Sequence, residues 1–205
     1  MTKPFLFLQA LAEQRNFPWQ EPAIASKVEI ADQYRLGAGL LGGRQAVVLT
    51  MHQDQWHLAA HQHELEHYVC AGGALVIQGH VALPFLSCLS VFRPIERAGP
   101  ADLALGIEQP EHPLFRGLDP KTLAVRKGVA GFYARGGSEP PPDARILTRI
   151  NSGQCPVDWV YRLGQGLVFM HPGNDLWTTF ADREGNLDLT RRLFDWLADW
   201  RATDG

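Results

Sequence analysis

Residues 45–80 read QAVVLTMHQDQWHLAAHQHELEHYVCAGGALVIQGH, and the pattern of this stretch decides the fold class. Its two ends, residues 46–50 (AVVLT) and 74–78 (ALVIQ), are short apolar runs that are typical of strands buried on both faces. Residues 55–71 between them predict a helix, which ends at the pair Gly72-Gly73 and leads directly into the second strand. A strand, a helix and a strand within about 30 residues form a parallel crossover unit.

Other short apolar runs predict the rest of the sheet. They occupy residues 4–9, 28–31, 144–149, 157–162 and 166–170. The last two are separated by LGQG at residues 163–166, a predicted hairpin turn, and the chain closes with a predicted helix over residues 187–200 that Asn186 can cap. We therefore expect an α/β fold, with three α/β/α layers around a mostly parallel, flavodoxin-like doubly wound sheet and an antiparallel C-terminal extension.

The middle of the chain is less regular. Nine prolines fall between residues 84 and 142, which predicts long ordered loops rather than helices. The segment GGSEPPPD, residues 136–143, has the composition of an exposed turn or short loop.

Length and composition limit the kinds of partner. A chain of 205 residues with 45% apolar residues fits a single domain, residues 1–205, with a large core. Its 19 basic and 22 acidic residues form no basic run, so we expect neither a nucleic-acid nor a membrane partner.

The N-terminus and the cysteines indicate the compartment. Residues 1–14 lack a small-residue cleavage site and are interpreted as containing the first strand rather than a signal peptide. No apolar run approaches the ~18 residues of a membrane span. Cys70, Cys88 and Cys155 are odd in number and form no C-x-x-C motif, which is typical of reduced thiols. We predict a cytoplasmic protein.

The sequence HELEH, residues 63–67, matches the H-E-x-x-H signature of zinc peptidases, in which two imidazoles one helical turn apart hold the metal. Helical geometry, however, places Leu58, Leu65 and Val69 on the core face and both histidines of the motif on the opposite side. A third ligand at the metzincin spacing is missing. We interpret the motif as a solvated helix face, expect no metal or other cofactor, and keep a zinc-dependent hydrolase as an alternative.

Three segments carry a resemblance to a known family. LEHYVCAGGALVIQGH (residues 65–80), EHPLFRGLD (residues 111–119) and VDWVYRLGQGLVFMHPGNDLW (residues 157–177) occur in that order. Together they resemble the class I glutamine amidotransferase-like superfamily, and within it the non-amidotransferase branch of trehalose-utilisation (ThuA-like) proteins. The resemblance implies that a helix leads into the central strand and that a later strand ends near a functional histidine.

The same resemblance indicates which residues of this chain correspond to the catalytic residues of amidotransferases, and which of those catalytic residues are replaced. In true amidotransferases a cysteine occupies a sharp turn after the central strand, and an HPE motif supplies the histidine and carboxylate that activate it. Here Ile77 stands where the cysteine belongs. His171 matches the histidine, Gly173 replaces the glutamate, and Asp175 lies two residues further on. We therefore expect that glutamine hydrolysis through a thioester is lost.

Polar residues after the predicted parallel strands form the candidate site. Ligands of open α/β sheets bind in the crevice outside the carboxyl ends of the strands, and His80 and His171 both lie at such ends. Either histidine could instead be structural. The candidate set consists of His171, His80 and Asp175 as catalytic residues and His52, Gln53, Gln78, Gly79, Asn174 and Trp177 as ligand-binding residues.

These residues favour one function over two alternatives. A histidine base near neutral pH, amide and carboxylate hydrogen bonds and an indole face suit a small polar ligand such as a carbohydrate derivative. We expect the protein to bind such a ligand; its conversion and a homo-oligomeric state are left open. The alternatives are a catalytically inactive interaction or scaffold domain and the zinc-dependent hydrolase.

Overall fold

A seven-stranded, mostly parallel sheet runs through the centre of the protein in a computed structural model, which describes residues 2–10, 22–37, 39–96, 99–126, 128–176 and 189–201. In chain order the strands are β1 (Phe5–Gln9), β2 (Val28–Asp32), β3 (Ala46–Leu49), β4 (Ala74–Gln78), β5 (Arg93–Pro94), β6 (Gly106–Ile107), β7 (Val125–Arg126), β8 (Val129–Ala130), β9 (Gly136–Gly137), β10 (Arg145–Ile146), β11 (Thr148–Ile150), β12 (Cys155–Pro156), β13 (Trp159–Leu163) and β14 (Gly166–His171). The helices are α1 (Pro22–Ala25), α2 (Gln55–Ala60), α3 (Gln62–Cys70), α4 (Pro120–Ala124) and α5 (Leu189–Ala198).

The strands of the central sheet lie in the order β10-β13-β14-β4-β3-β1-β2. The five from β14 to β2 are parallel to one another. β13 and β10 continue the sheet in antiparallel pairing on the β14 side. The expected α/β class, the mostly parallel sheet and the antiparallel extension near the C-terminus are therefore confirmed.

Both faces of the sheet are buried because successive side chains of a strand point to opposite sides. Leu6 and Leu8 of β1 belong to a core cluster that also contains Leu58, Leu65 and Val69 from α2 and α3. Phe5 and Phe7 belong to a second cluster, on the other face, with the apolar stripe of α5. The predicted core face of the helix after β3 is confirmed, and so is the apolar stripe of the last helix, which comprises Leu189, Leu193, Trp196, Leu197 and Trp200. Asn186, its predicted cap, lies outside the described residues.

The predicted helix over residues 55–71 is two helices, so its continuity was wrong. His61 separates α2 from α3, and its backbone N–H donates to the carbonyl of Leu58, three residues back, in a tight turn. Apolar periodicity does not detect this break because Leu58 and Leu65 stay on the same buried face across it. The predicted stop is confirmed: α3 ends at Cys70, and Gly72 adopts a left-handed φ of 105°.

Two predictions in the second half need correction. The run over residues 144–149 is divided at the buried Leu147, where β10 leaves the central sheet and β11 enters a small sheet with β6 and β12. Gly136 and Gly137 are buried rather than exposed, because β9 packs so tightly that a Cβ on Gly137 would overlap the carbonyl oxygen of Pro156. The hairpin turn between β13 and β14 is confirmed, with Gly164 at a φ of 61°.

None of the helices within the described ranges has the length and apolarity needed to cross a bilayer.

Replacing Gly166 by alanine tests how closely α3 lies against the sheet. A Cβ at this position would overlap the carbonyl oxygens of Val69 and Gly73. We expect Gly166→Ala to lower the free energy of unfolding by about 2 kcal/mol or more, as overpacking of a core does. Gly106→Ala is the matched control, because Gly106 also lies in a strand but its added Cβ would be 3.7 Å from the nearest atom. Equal urea-unfolding midpoints for the two variants would contradict this packing.

Candidate functional site

A cleft of about 470 Å³ lies at the carboxyl edge of the parallel strands. One wall consists of the residues that follow three neighbouring strands: Met51 and His52 after β3, Gly79 and His80 after β4, and Gly173 and Asn174 after β14. The opposite wall consists of Val129 in β8 and the loop that follows this strand, with Gly131, Phe132, Tyr133, Ala134 and Arg135. The cleft thus lies where ligands of open α/β sheets bind.

The predicted site residues divide into two groups. His52, Gly79, His80 and Asn174 line the cleft. Gln53, Gln78, His171 and Asp175 are not part of its lining and lie in the structure around it. Trp177, proposed from sequence as a stacking platform, lies outside the described residues.

Gly79 forms the sharp turn that opens the cleft after β4. Its φ is 89°, and a Cβ would lie 2.6 Å from the Cα of Met51, so the turn requires glycine. Its backbone N–H donates to the carbonyl of His171 at 2.9 Å, which joins the ends of β4 and β14. Ile77, by contrast, lies inside β4 with its side chain in the core. The position that the resemblance gives to the cysteine is therefore inside the strand, and the turn itself is at Gly79.

His171 is completely buried at the end of β14. Its Nδ1 lies 2.6 Å from the Asp158 carboxylate and its Nε2 lies 2.9 Å from the carbonyl oxygen of Asn174. Gly173 covers the ring on the cleft side, since a Cβ there would lie 2.6 Å from Nε2. Both ring nitrogens are thus committed to oxygen atoms of the protein, which is the arrangement of a structural histidine that positions the turn after β14.

Asp158, which sequence reasoning missed, is the acid that pairs with His171. Its carboxylate is fully buried just before β13 and also accepts hydrogen bonds from the hydroxyl of Tyr133, at 2.8 Å, and from the hydroxyl of Thr148. Asp175 is the acid that the sequence suggests, because it follows the histidine closely. A carboxylate inside an apolar strand pattern, as in VDWVYR, is the signal that could have identified Asp158, since a buried charge requires partners.

Asp175 connects the segments that follow β14 and β3. Its Oδ1 accepts the backbone N–H of Met51 at 2.6 Å. Burial raises the pKa of Asp175 to about 8, although the hydrogen bond from Met51 acts in the opposite direction. The carboxyl group is therefore mostly protonated at pH 7.

The two predicted glutamines are internal braces. Gln78 is buried, and its Oε1 accepts the backbone N–H of Leu176 at 2.6 Å. Gln53 donates to the carbonyl of Gln78 at 3.3 Å and also to the carbonyl of Thr50. These bonds hold the ends of β3, β4 and β14 together below the cleft.

The side chains of His52 and His80 are exposed at the cleft. The His80 ring stacks on Phe92 with the ring centres 3.7 Å apart and the planes within 8°. Partial burial lowers the pKa of His80, which favours the neutral ring near pH 7. The Asn174 amide donates to the carbonyl of Phe132 at 2.7 Å, so it joins the two walls of the cleft.

No cysteine is among the described residues that line the cleft. Cys88 is partly buried, and burial raises the pKa of its thiol to about 12. Cys70 is exposed at the end of α3. A thiolate nucleophile therefore has no counterpart in this part of the structure.

The HELEH motif lies on α3, away from the cleft. His63 and His67 are exposed with their ring centres 6.4 Å apart, while Glu64 pairs with His61. Within the described ranges, no group of three metal-ligating side chains converges. Glu64 and His67 border a second cavity, of about 480 Å³, whose lining also contains Arg44 and Arg201.

Replacing Asp175 by asparagine tests its protonation. Its folded pKa of about 8 exceeds the ordinary value of 3.8, so the folded state binds more protons than the unfolded state between these values. Its stabilising contribution is fully present below the lower value and is lost as pH rises through the higher one. Asparagine keeps the acceptor for Met51 but has no proton to lose, so we expect the Asp175→Asn variant to lose less stability on raising pH from about 6 to about 9.

With a folded pKa of about 8, the unmodified protein should lose on the order of 2–3 kcal/mol of its free energy of unfolding between pH 6 and pH 9 that the variant keeps. Urea unfolding at both pH values measures the difference, with Asp143→Asn, at an exposed loop position, as the control. An Asp175→Asn variant whose stability changes with pH as the unmodified protein does would contradict a protonated Asp175.

Replacing His171 by leucine tests its structural role. The change leaves the buried carboxylate of Asp158 without its imidazole partner, so we expect the free energy of unfolding to fall by about 3 kcal/mol or more. His52→Leu, at an exposed position on the cleft, should change it by less than about 0.5 kcal/mol. Similar losses for the two variants, measured by urea unfolding, would refute the role of His171 as a buried brace.

The chain matches no protein-family model and no curated protein. Among solved structures, it is similar to the cytoplasmic protein STM3548 from Salmonella typhimurium, with a TM-score of 0.62 and 13% sequence identity over 94% of this chain and 98% of that chain. It is also similar to the cytoplasmic protein STM1381 from Salmonella typhimurium LT2, with a TM-score of 0.56 and 10% identity over 96% of this chain and 99% of that chain. At such identities the likeness concerns the fold alone.

A weaker likeness extends to part of a glycoside hydrolase. The chain covers 30% of Gan42B, a GH42 β-galactosidase from G. stearothermophilus, at a TM-score of 0.48 and 13% identity, with 97% of this chain covered. The α/β fold with its mostly parallel central sheet is thus shared with the two Salmonella proteins over nearly the full length of each chain.

Proposed function

We propose that this protein is a non-amidotransferase member of the class I glutamine amidotransferase-like superfamily, in the ThuA-like branch, that binds a small polar ligand such as a carbohydrate derivative. The observation that carries the proposal is the cleft at the carboxyl edge of β3, β4 and β14, which has the size of a small-molecule site. Two of the three sequence segments that resemble the superfamily, residues 65–80 and 157–177, contribute β4, β14 and the residues that follow them.

The finer fold assignment is part of the same proposal. The five parallel strands lie in the order β2-β1-β3-β4-β14, which is the order 2-1-3-4-5 of flavodoxin-like sheets. Helices α2 and α3 belong to the core on one face and α5 to the core on the other, as three α/β/α layers require. We propose that residues 1–205 form one such domain.

The chemistry of the lining supports hydrogen bonding rather than acyl transfer. Imidazoles, an amide and a guanidinium group offer polar contacts, and the rings of Phe132 and His80 add flat surfaces of the kind that pack against sugars. We propose His80 as the general base in any turnover, because it is exposed to the cleft and its pKa is lowered. His171 and Asp175, both buried, then act as positioning residues for the turns that form the cleft.

We also propose a cytoplasmic location, as for the two Salmonella proteins of similar fold, which are described as cytoplasmic. The alternative function is a scaffold domain that binds no small ligand. The ligand screen described below separates this alternative from the proposed ligand-binding function. The expectation of no nucleic-acid or membrane partner continues to rest on the charge pattern, with 19 basic and 22 acidic residues in no long run.

A thermal-unfolding screen tests the proposed function. Glucose, trehalose, glucuronate and glucose 6-phosphate are added separately to the full chain. A compound present at ten times its Kd stabilises the folded state by about 1.4 kcal/mol, which raises the Tm by about 3–6 °C. We expect such a rise with at least one compound, and we expect His80→Ala to abolish it because that side chain lies in the cleft.

His63→Ala is the matched control, since His63 is also exposed but lies on α3 outside the cleft. The Tm rise should persist in this variant. Absence of any rise in the unmodified protein, together with a stable complex recovered in a pulldown, would favour the scaffold domain. A rise that is insensitive to His80→Ala would place the ligand elsewhere.

A further inference from the structure

The charge of the cleft lining is one-sided. Of the described residues that form it, three carry basic or imidazole side chains, His52, His80 and Arg135, and none is Asp or Glu. The whole chain has a formal charge of -3, so this lining departs from the average of the protein. Arg135 supplies the fixed positive charge of this lining, and a concave site whose fixed charge has one sign concentrates ligands of the opposite sign.

Arg135 is held at the rim of the cleft by its own loop. Its Nε donates to the carbonyl of Gly131 at 3.4 Å and its Nη2 donates to the carbonyl of Ala130 at 3.2 Å. These carbonyls orient the guanidinium group but do not neutralise its charge. A guanidinium group fixed in this way is suited to bind a carboxylate or a phosphate through paired hydrogen bonds.

No carboxylate in the described part of the chain lies within ion-pair distance of Arg135. Other arginines differ in this respect: Arg44 pairs with Glu29 at 2.7 Å, and Arg116 lies 3.6 Å from Glu111. Arg135 is therefore a cation that faces a cleft without an internal counter-ion among these residues.

The buried acids near the cleft do not cancel this charge. Asp158 is matched by His171 at 2.6 Å. Asp175 has a pKa raised to about 8 by burial, so it carries little negative charge at neutral pH. The electrostatic character of the cleft is thus set by its exposed lining.

We infer that the ligand of this cleft is anionic, a small molecule whose carboxylate or phosphate ester binds Arg135 while its polar body contacts His52 and His80. This inference rests on the proposed function and narrows its ligand class from polar molecules to anionic ones. Carboxylate and phosphate share the chemistry that the guanidinium group recognises, and only binding measurements separate them.

The test uses probes that share one sugar ring and differ in charge. Glucose, glucuronate and glucose 6-phosphate, with inorganic phosphate as the anion alone, are titrated into the full chain by isothermal calorimetry. The variants are Arg135→Gln and, as the matched control, Arg116→Gln, a residue that is also exposed but is not part of the cleft lining. Both arginines are on the surface, so both variants are expected to fold, and their far-UV circular dichroism verifies it.

We expect at least one anionic sugar to bind about tenfold or more tightly than glucose, as hydrogen bonds to charged groups imply. Arg135→Gln should reduce that affinity by about tenfold to a hundredfold, and Arg116→Gln should leave it unchanged. A preference for glucuronate identifies a carboxylate, whereas a preference for glucose 6-phosphate, with competition by inorganic phosphate, identifies a phosphate ester. Added salt should weaken binding.

The outcomes separate this inference from the proposed function. One outcome is that glucose binds as tightly as the anions, with its binding abolished by His80→Ala but not by Arg135→Gln. In that case the cleft is a ligand site, but the inference of an anionic ligand is wrong. If no anion binds, the inference is overturned, and the thermal screen with neutral sugars decides the proposed function separately. Equal losses in Arg135→Gln and Arg116→Gln would also overturn it.

Discussion

The buried contact between Asp158 and His171, 2.6 Å long, is the constraint on which the cleft depends. A carboxylate removed from water is tolerated only when its oxygens are hydrogen-bonded. Here the partners come from different parts of the fold: His171 from β14, Thr148 from the small sheet, and Tyr133 from the loop that forms the far wall. One buried group therefore fixes the central sheet, the small sheet and the cleft wall relative to each other.

A second set of polar contacts joins the strand ends beneath the same cleft. Gln78 holds the backbone of Leu176, and Asp175 holds the backbone of Met51. Such side chains satisfy the hydrogen-bonding needs of backbone groups that lie beyond the end of a strand but are still buried away from water. The polar residues after the strands thus have two roles: buried ones set the positions of the turns, and exposed ones face the cleft.

Most of the sheet was predictable from sequence because a strand buried on both faces leaves a continuous apolar run. The bounds of β4 were predicted without error, and β3 differs by one residue. The predictions failed where tertiary contacts determine how a segment is divided into strands or helices. Leu147 is buried whether residues 144–149 form one strand or two, so burial could not reveal that the run divides between two sheets. The break between the two helices at His61 was not predicted for a related reason. Apolar periodicity shows which face of a helix is buried, but it does not show which carbonyl a backbone N–H bonds to.

The location of the candidate site could be predicted from the sequence, but the partners and roles of its residues could not. Parallel topology alone brings the residues after β3, β4 and β14 to one edge, so the location of His52 and His80 follows from the strand assignments. The partner of His171 does not, because Asp158 precedes it by 13 residues and reaches it only through the antiparallel pairing of β13 with β14. Arg135 was missed for the same reason, since its loop has no strand pattern and joins the cleft only in the folded chain.

This division of roles limits what chemistry the cleft can perform. A histidine whose two nitrogens are 2.6 Å and 2.9 Å from protein oxygens, behind the backbone of Gly173, cannot exchange a proton with a ligand without breaking the contacts that hold the cleft. Any proton transfer must then involve His52 or His80, the imidazoles that line the cleft in the described part of the chain. Since His80 has a lowered pKa, it can accept a proton near pH 7 while the guanidinium group of Arg135 supplies the fixed positive charge. Under the proposed function, the His80 imidazole would accept the proton and Arg135 would bind the anionic group, with no need for the thiol of an amidotransferase.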